Sequence, residues 1–126
     1  MFILLSPAKS LDFATPAPVK TASALLFEQD ALYLASLVAQ LSASQLQTMM
    51  GISPALAELN VERFAAIVNQ TAAAKQAIFA FDGDVYTGLD AYELNVRSLN
   101  YLQKHVRILS GMYGILRPFD LMYAYR

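Results

Sequence analysis

Three short apolar runs, Phe2–Leu5, Ala77–Phe81 and Val106–Ser110, constrain this chain more than any other feature. Each is too short to be a stable helix on its own and too apolar to lie on a surface, which is the pattern of a buried strand. The stretches between them carry helical periodicity. Strands alternating with helices predict a mixed α/β (α+β) fold: a small sheet flanked by helices, compatible with parallel pairing.

Capping signals set the expected helices. Thr21 or Ser23 starts a helix that runs to about Gln40. Ser42 or Ser44 caps a short one over Gln45–Met50, and Gly51-Ile52-Ser53-Pro54 breaks it. Ser53, with Pro54 at the first helical position, starts another through about Leu59. Asn60 is expected to cap a further helix, Val61–Val68, and Thr71 one over Ala72–Gln76. Asp82-Gly83-Asp84 is a turn signal that continues through Tyr86-Thr87-Gly88-Leu89. A helix over Asn95–Lys104 precedes the third apolar run.

A chain of 126 residues is expected to form one domain, 1–126. Its composition is thin in charge: 15% against a usual value of about 25%, with 56% apolar residues. So few charges imply an apolar face that meets a partner, a missing part of the protein or a second copy. No membrane span accounts for the excess, because the greasiest stretch, Ala22–Leu41, is interrupted by Glu28, Gln29 and Asp30. Met1–Leu5 is too short for a signal-peptide core. With no cysteine, disulfides, thiolate chemistry and His/Cys zinc sites are excluded. The expectation is a cytoplasmic protein that needs no cofactor and no metal.

Charge is unevenly spread. Residues 1–96 carry net −5 and residues 97–126 net +4. Such asymmetry fits an anion-binding patch, or acid and base halves that pair in the fold. Several motifs bear on that choice. Leu46-x-x-Met49-Met50-Gly51-Ile52-Ser53-x-x-Leu56-Ala57 has the layout of a helix-hairpin-helix. Hairpin amides and a helix N-terminus can hold a phosphate oxygen without reading bases; the same residues also make a plain helix-to-helix link. Lys9 follows the first strand directly, where ligands of α/β sheets commonly sit, or it is a solvated loop lysine. Asp82 and Asp84 offer carboxylates to a hard cation, or form an ordinary turn without calcium-loop spacing. His105 is the only histidine, and Ser110-Gly111 lacks a nucleophile-elbow frame, so no catalytic triad is expected. Gly111-x-x-Gly114 lacks the Lys-Ser/Thr of a P-loop.

Four segments together carry a resemblance. They are Ile3-Leu4-Leu5-Ser6-Pro7-Ala8-Lys9, the hairpin around Met50–Ser53, Phe81-x-Gly83-Asp84-Val85-Tyr86-Thr87-Gly88-Leu89, and Leu109-Ser110-Gly111-Met112-Tyr113-Gly114-Ile115-Leu116-Arg117-Pro118-Phe119-Asp120-Leu121-Met122, closing on Tyr125-Arg126. In order and spacing the chain resembles the YaaA family of bacterial peroxide-stress proteins. The resemblance implies a cytosolic protein that limits oxidative, iron-linked DNA damage and binds DNA through a basic cleft and a helix-hairpin-helix. Members of that family continue past the Tyr-Arg pair, so the chain is expected to correspond to the N-terminal half of the family fold.

The resulting expectation is DNA-backbone binding by Gly51, Ile52, Ser53, Lys9, Arg107, Arg117 and Arg126, with no catalytic residue. The alternative is an enzyme with a Lys9/Asp84/Tyr86/Arg117 pocket for a small anionic substrate.

Overall fold

The computed structural model describes residues 1–126. In chain order the elements are β1 (Ile3–Leu5), β2 (Ser10–Leu11), α1 (Glu28–Val38), α2 (Ala43–Met50), α3 (Pro54–Val68), β3 (Ala74–Gln76), α4 (Ala77–Ala80), β4 (Phe81–Asp82), α5 (Asp84–Leu89), α6 (Val96–His105), β5 (Val106–Ser110), β6 (Gly114–Leu116) and β7 (Leu121–Tyr123). A short 3₁₀ turn, Ala91–Glu93, joins α5 to α6. The architecture is mixed α/β, with small sheets among six helices. No helix is long and apolar enough to cross a membrane.

The main sheet has the order β1-β5-β6, with β1 parallel and β6 antiparallel to β5. Its register sorts the side chains by face. Val106, Ile108 and Leu116 are buried, and Ile108 and Leu116 pack in the core with Phe79, Phe81, Leu99, Tyr113 and Phe119. Leu4, Leu109 and Ile115 share the other face and stay 62%, 44% and 41% exposed. Arg107 lies on that outer face too, its guanidinium 4.9 Å from the centre of the exposed Phe2 ring. A parallel pair is normally covered on both faces; here one is open.

The helical layer is built by α1, α2 and α3. Ser42 forms a capping box with Gln45 at the start of α2, and Gly51 ends it in the left-handed conformation (φ 65°) that favours glycine. Ser53 caps α3, with Pro54 at its first position. The expected break at Asn60 is absent. Ala57, Asn60, Phe64 and Ile67 form one buried stripe along a continuous α3, and the Asn60 Nδ2 donates to the Leu56 carbonyl at 2.8 Å. Burial of the stripe outweighs the capping preference of asparagine.

Two further expectations are reversed. Ala72–Gln76 was expected to be helical, yet Ala74–Gln76 is strand β3, paired antiparallel to β7. Ala77–Phe81 was expected to be a strand, yet Ala77–Ala80 is one helical turn. The cause is long-range. Lys75 and Gln76 are buried with partners found far along the chain: the Asp12 carbonyl and Tyr92 hydroxyl for Lys75, the Val19 and Thr21 carbonyls for Gln76. The amides of Ala77 and Ile78 donate to the carbonyls of Asp120 and Pro118. Local propensity over five residues cannot compete with such pairing. The first helix also starts late, at Glu28, because Ser23 bridges to Asp120 instead of capping.

Asp120 is fully buried and accepts from the Ser23 hydroxyl (2.6 Å), the Arg117 amide (2.8 Å) and the Arg117 Nε (2.9 Å). Asp120→Ala strips three donors of their acceptor. It is expected to lower stability by on the order of 3 kcal/mol, read as a fall in the urea midpoint, with Asp120→Asn losing less.

Candidate functional site

Because β1 and β5 are parallel, their carboxyl ends open on the same side, and the loops that follow them meet there. The loop after β1 is Ser6–Lys9; Gly111 follows β5. Lys9 and Arg126 line one cleft of about 330 Å³ with Pro7, Ala8, Gly111 and Tyr125. No Asp or Glu side chain lines this cleft. A second cleft of similar volume continues from the same loop and is lined by Asp82, Gly83, Asp84, Val85 and Tyr86. Lys9, which is exposed, stands between a basic half and an acidic half.

Buried tyrosines hold these loops. The Tyr86 hydroxyl donates to the Ser6 carbonyl at 2.6 Å, and its ring stacks on Phe81. Tyr125 and Ser110 share a 2.8 Å hydroxyl contact, and the Ser110 Oγ also accepts from the Tyr113 amide. Tyr113 donates its hydroxyl to the Tyr123 carbonyl and meets Tyr125 edge-on at 5.1 Å. Gly83 sits close to the first loop: a Cβ there would lie 3.1 Å from the Ala8 Cβ, a tight contact that Ala8 would have to relieve by a few tenths of an ångström.

Arg63, on α3, lines neither cleft but lies within reach of the charge of Arg126. It is partly buried, forms no ion pair, and both burial and the like charge of Arg126 depress its pKa. A guanidinium without an acid partner that also feels a second positive charge favours a bound anion. In the sequence Arg63 shows only as a cation after the Gly51–Ser53 break, which carries no sign of the tail residue whose charge it feels.

The other expected residues lie elsewhere. Arg107 spends its Nη1 on the carbonyls of Gln103 and Val106. Arg117 is tied to Asp120 and donates Nη2 to the Ala24 carbonyl. Neither lines the clefts, so Arg117 does not join Lys9, Asp84 and Tyr86. At the α2–α3 hairpin, the Gly51 and Ile52 amides both donate to the Gln47 carbonyl, and the Ser53 Oγ accepts from Leu56. The Ser53 and Ala55 amides have no partner within the chain. Asp82 and Asp84 share a cleft, but no three acidic or histidine side chains converge as a metal-ligand set.

Burial raises the pKa of Tyr86, Tyr113 and Tyr125. A folded-state value above the unfolded value of about 10 means the folded chain holds the proton more tightly. This stabilisation is intact below pH ~10 and is lost as pH rises toward the folded values. Urea midpoints are therefore expected to hold steady from pH 8 to about 9.5 and to fall beyond pH ~10. Tyr86→Phe and Tyr113→Phe should flatten that alkaline limb; an unchanged slope in both would contradict the assignment.

The whole chain, residues 1–126, matches the family model described as peroxide stress protein YaaA. Among curated relatives, a UPF0246 protein of Burkholderia mallei (strain SAVP1) is 50% identical over 128 residues, covering 100% of this chain and 49% of the relative. A UPF0246 protein of Psychromonas ingrahamii is 49% identical over 131 residues, covering 100% of this chain and 50% of the relative. The chain thus spans about half the length of the curated relatives it matches. With a match from the first residue to the last, the chain belongs to the YaaA family of peroxide stress proteins.

Proposed function

We propose that this chain is the nucleic-acid-binding part of a cytoplasmic peroxide-stress protein that limits iron-driven DNA damage by holding the DNA backbone. The observation that carries the reading is the cleft shared by Lys9 and Arg126, which no Asp or Glu side chain lines. Cations that lack internal partners are available to phosphate. In this reading the α2–α3 unit is a helix-hairpin-helix. Its Ser53 and Ala55 amides supply the phosphate donors, while Gly51 and Ile52 shape the turn. Arg107, bound to main-chain carbonyls, adds long-range charge rather than a contact, whereas the charge of Arg117 is balanced by Asp120.

The enzyme reading has less support. Lys9, Asp84 and Tyr86 share a cleft, but the Tyr86 hydroxyl is committed to Ser6 and Arg117 lies outside.

Fluorescence anisotropy with a labelled DNA duplex tests the first reading. Affinity should fall steeply with salt, and Lys9→Glu or Arg126→Glu should each reduce the log–log salt slope by about 1. A flat salt response, or wild-type affinity in both variants, would sink it.

A second proposal concerns the open sheet face of Leu4, Leu109 and Ile115. We propose that polypeptide corresponding to the rest of the relatives' length covers it, consistent with a match to only half of each relative. The 126-residue chain alone should then self-associate in light scattering. Adding the remaining half of the Burkholderia relative should disperse it; a clean monomer that ignores the added half would refute the idea.

A further inference from the structure

A groove of about 710 Å³ runs along α6 and shares no lining residue with the clefts at Lys9. It is lined by Arg97, Ser98, Asn100, Tyr101, Lys104 and His105, together with Val96. Arg97, Tyr101, Lys104 and His105 fall at i, i+4, i+7 and i+8, so they form one stripe on the helix. No carboxylate lines the groove, and neither Arg97 nor Lys104 makes an ion pair. The two cations stand about 10 Å apart along the helix axis. Between them Tyr101 rests one side on the His105 ring at 4.3 Å and remains 51% exposed. His105 is itself anchored through Nδ1 to the Met1 carbonyl at 3.0 Å. The chain has net charge −1, so a local run of unpaired positive charge flanking an open aromatic ring is a distinct feature.

We propose that this groove binds single-stranded nucleic acid, with a base stacked on Tyr101 and flanking phosphates held by Arg97 and Lys104. Exposed aromatics between cations suit a strand whose bases are splayed from their partners, because every base offers a π-face and phosphates follow on either side. A duplex, with its bases stacked inside, has no base to give Tyr101. The site is distinct from the Lys9–Arg126 cleft, since the two share no lining residue.

The test is anisotropy with fluorescein-labelled (dT)₁₂, with inorganic polyphosphate as a second, base-free ligand. Arg97→Glu/Lys104→Glu should weaken (dT)₁₂ binding at least about 10-fold and weaken polyphosphate binding as well. Tyr101→Ala should weaken (dT)₁₂ by about 5- to 150-fold and leave polyphosphate unchanged. Lys9→Glu/Arg126→Glu should retain (dT)₁₂ binding. All five side chains are exposed, and circular dichroism checks that the variants fold. Undiminished (dT)₁₂ affinity in either α6 variant, or equal loss of polyphosphate in Tyr101→Ala, overturns the proposal. Loss confined to Lys9→Glu/Arg126→Glu also overturns it, while leaving the duplex reading in place. No (dT)₁₂ binding by the wild type overturns it too.

Discussion

The buried carboxylate of Asp120 ties together segments that have no other reason to meet. Its side chain joins the Ser23 segment to Arg117, and its carbonyl receives the Ala77 amide at the start of α4. The adjoining amide of Phe119 donates to the side chain of Gln103 on α6, which in turn donates to Ser23. One tight turn thus links the long N-terminal connection, the central helical turn, α6 and β7. Each of these groups would carry an uncompensated desolvation cost if the turn failed to form. The short elements on either side are stable as parts of this network rather than singly.

The site is a consequence of that frame. Once Val106–Ser110 is fixed beside Ile3–Leu5 in parallel register, the loops after both strands must share one end of the sheet. Tyrosine hydroxyls then fix the loops: Tyr86 on Ser6, Tyr125 on Ser110, Tyr113 on Tyr123. The fold also divides the cations by use. Arg107 serves main-chain carbonyls and Arg117 is paired with Asp120, whereas Lys9, Arg63, Arg126, Arg97 and Lys104 form no ion pair; Lys9 and Arg126 line one cleft, and Arg97 and Lys104 line the groove on α6. The +4 tail therefore works partly as internal scaffolding and partly as exposed charge.

Sequence patterning revealed what depends on nearby residues. The strands at Ile3–Leu5 and Val106–Ser110 and the helix over Val96–His105 follow from apolar runs and capping, as does the Gly51–Ser53 break. The Ala72–Phe81 stretch was read backwards because its state is set by β7 and by the carbonyls of Pro118 and Asp120, some forty residues later. Asn60 was taken for a cap because an isolated asparagine carries no sign of the buried stripe around it. The place of Lys9 in the loop after a strand is readable from the sequence. The closeness of Arg63 to Arg126 is not, since it is purely tertiary. Arg107 and Arg117 were overvalued for the same reason: sequence shows a charge but not the carbonyl that already holds it.

The central claim is that the cleft lined by Lys9 and Arg126 holds nucleic-acid backbone. Its most direct test is a chemical-shift titration of the ¹⁵N-labelled chain with a short DNA duplex. Shifts concentrated at Lys9, Gly111, Arg126, Arg63 and the Ser53 and Ala55 amides, and erased by added salt, are the expected result. Shifts absent from these residues, or unchanged by salt, would contradict it.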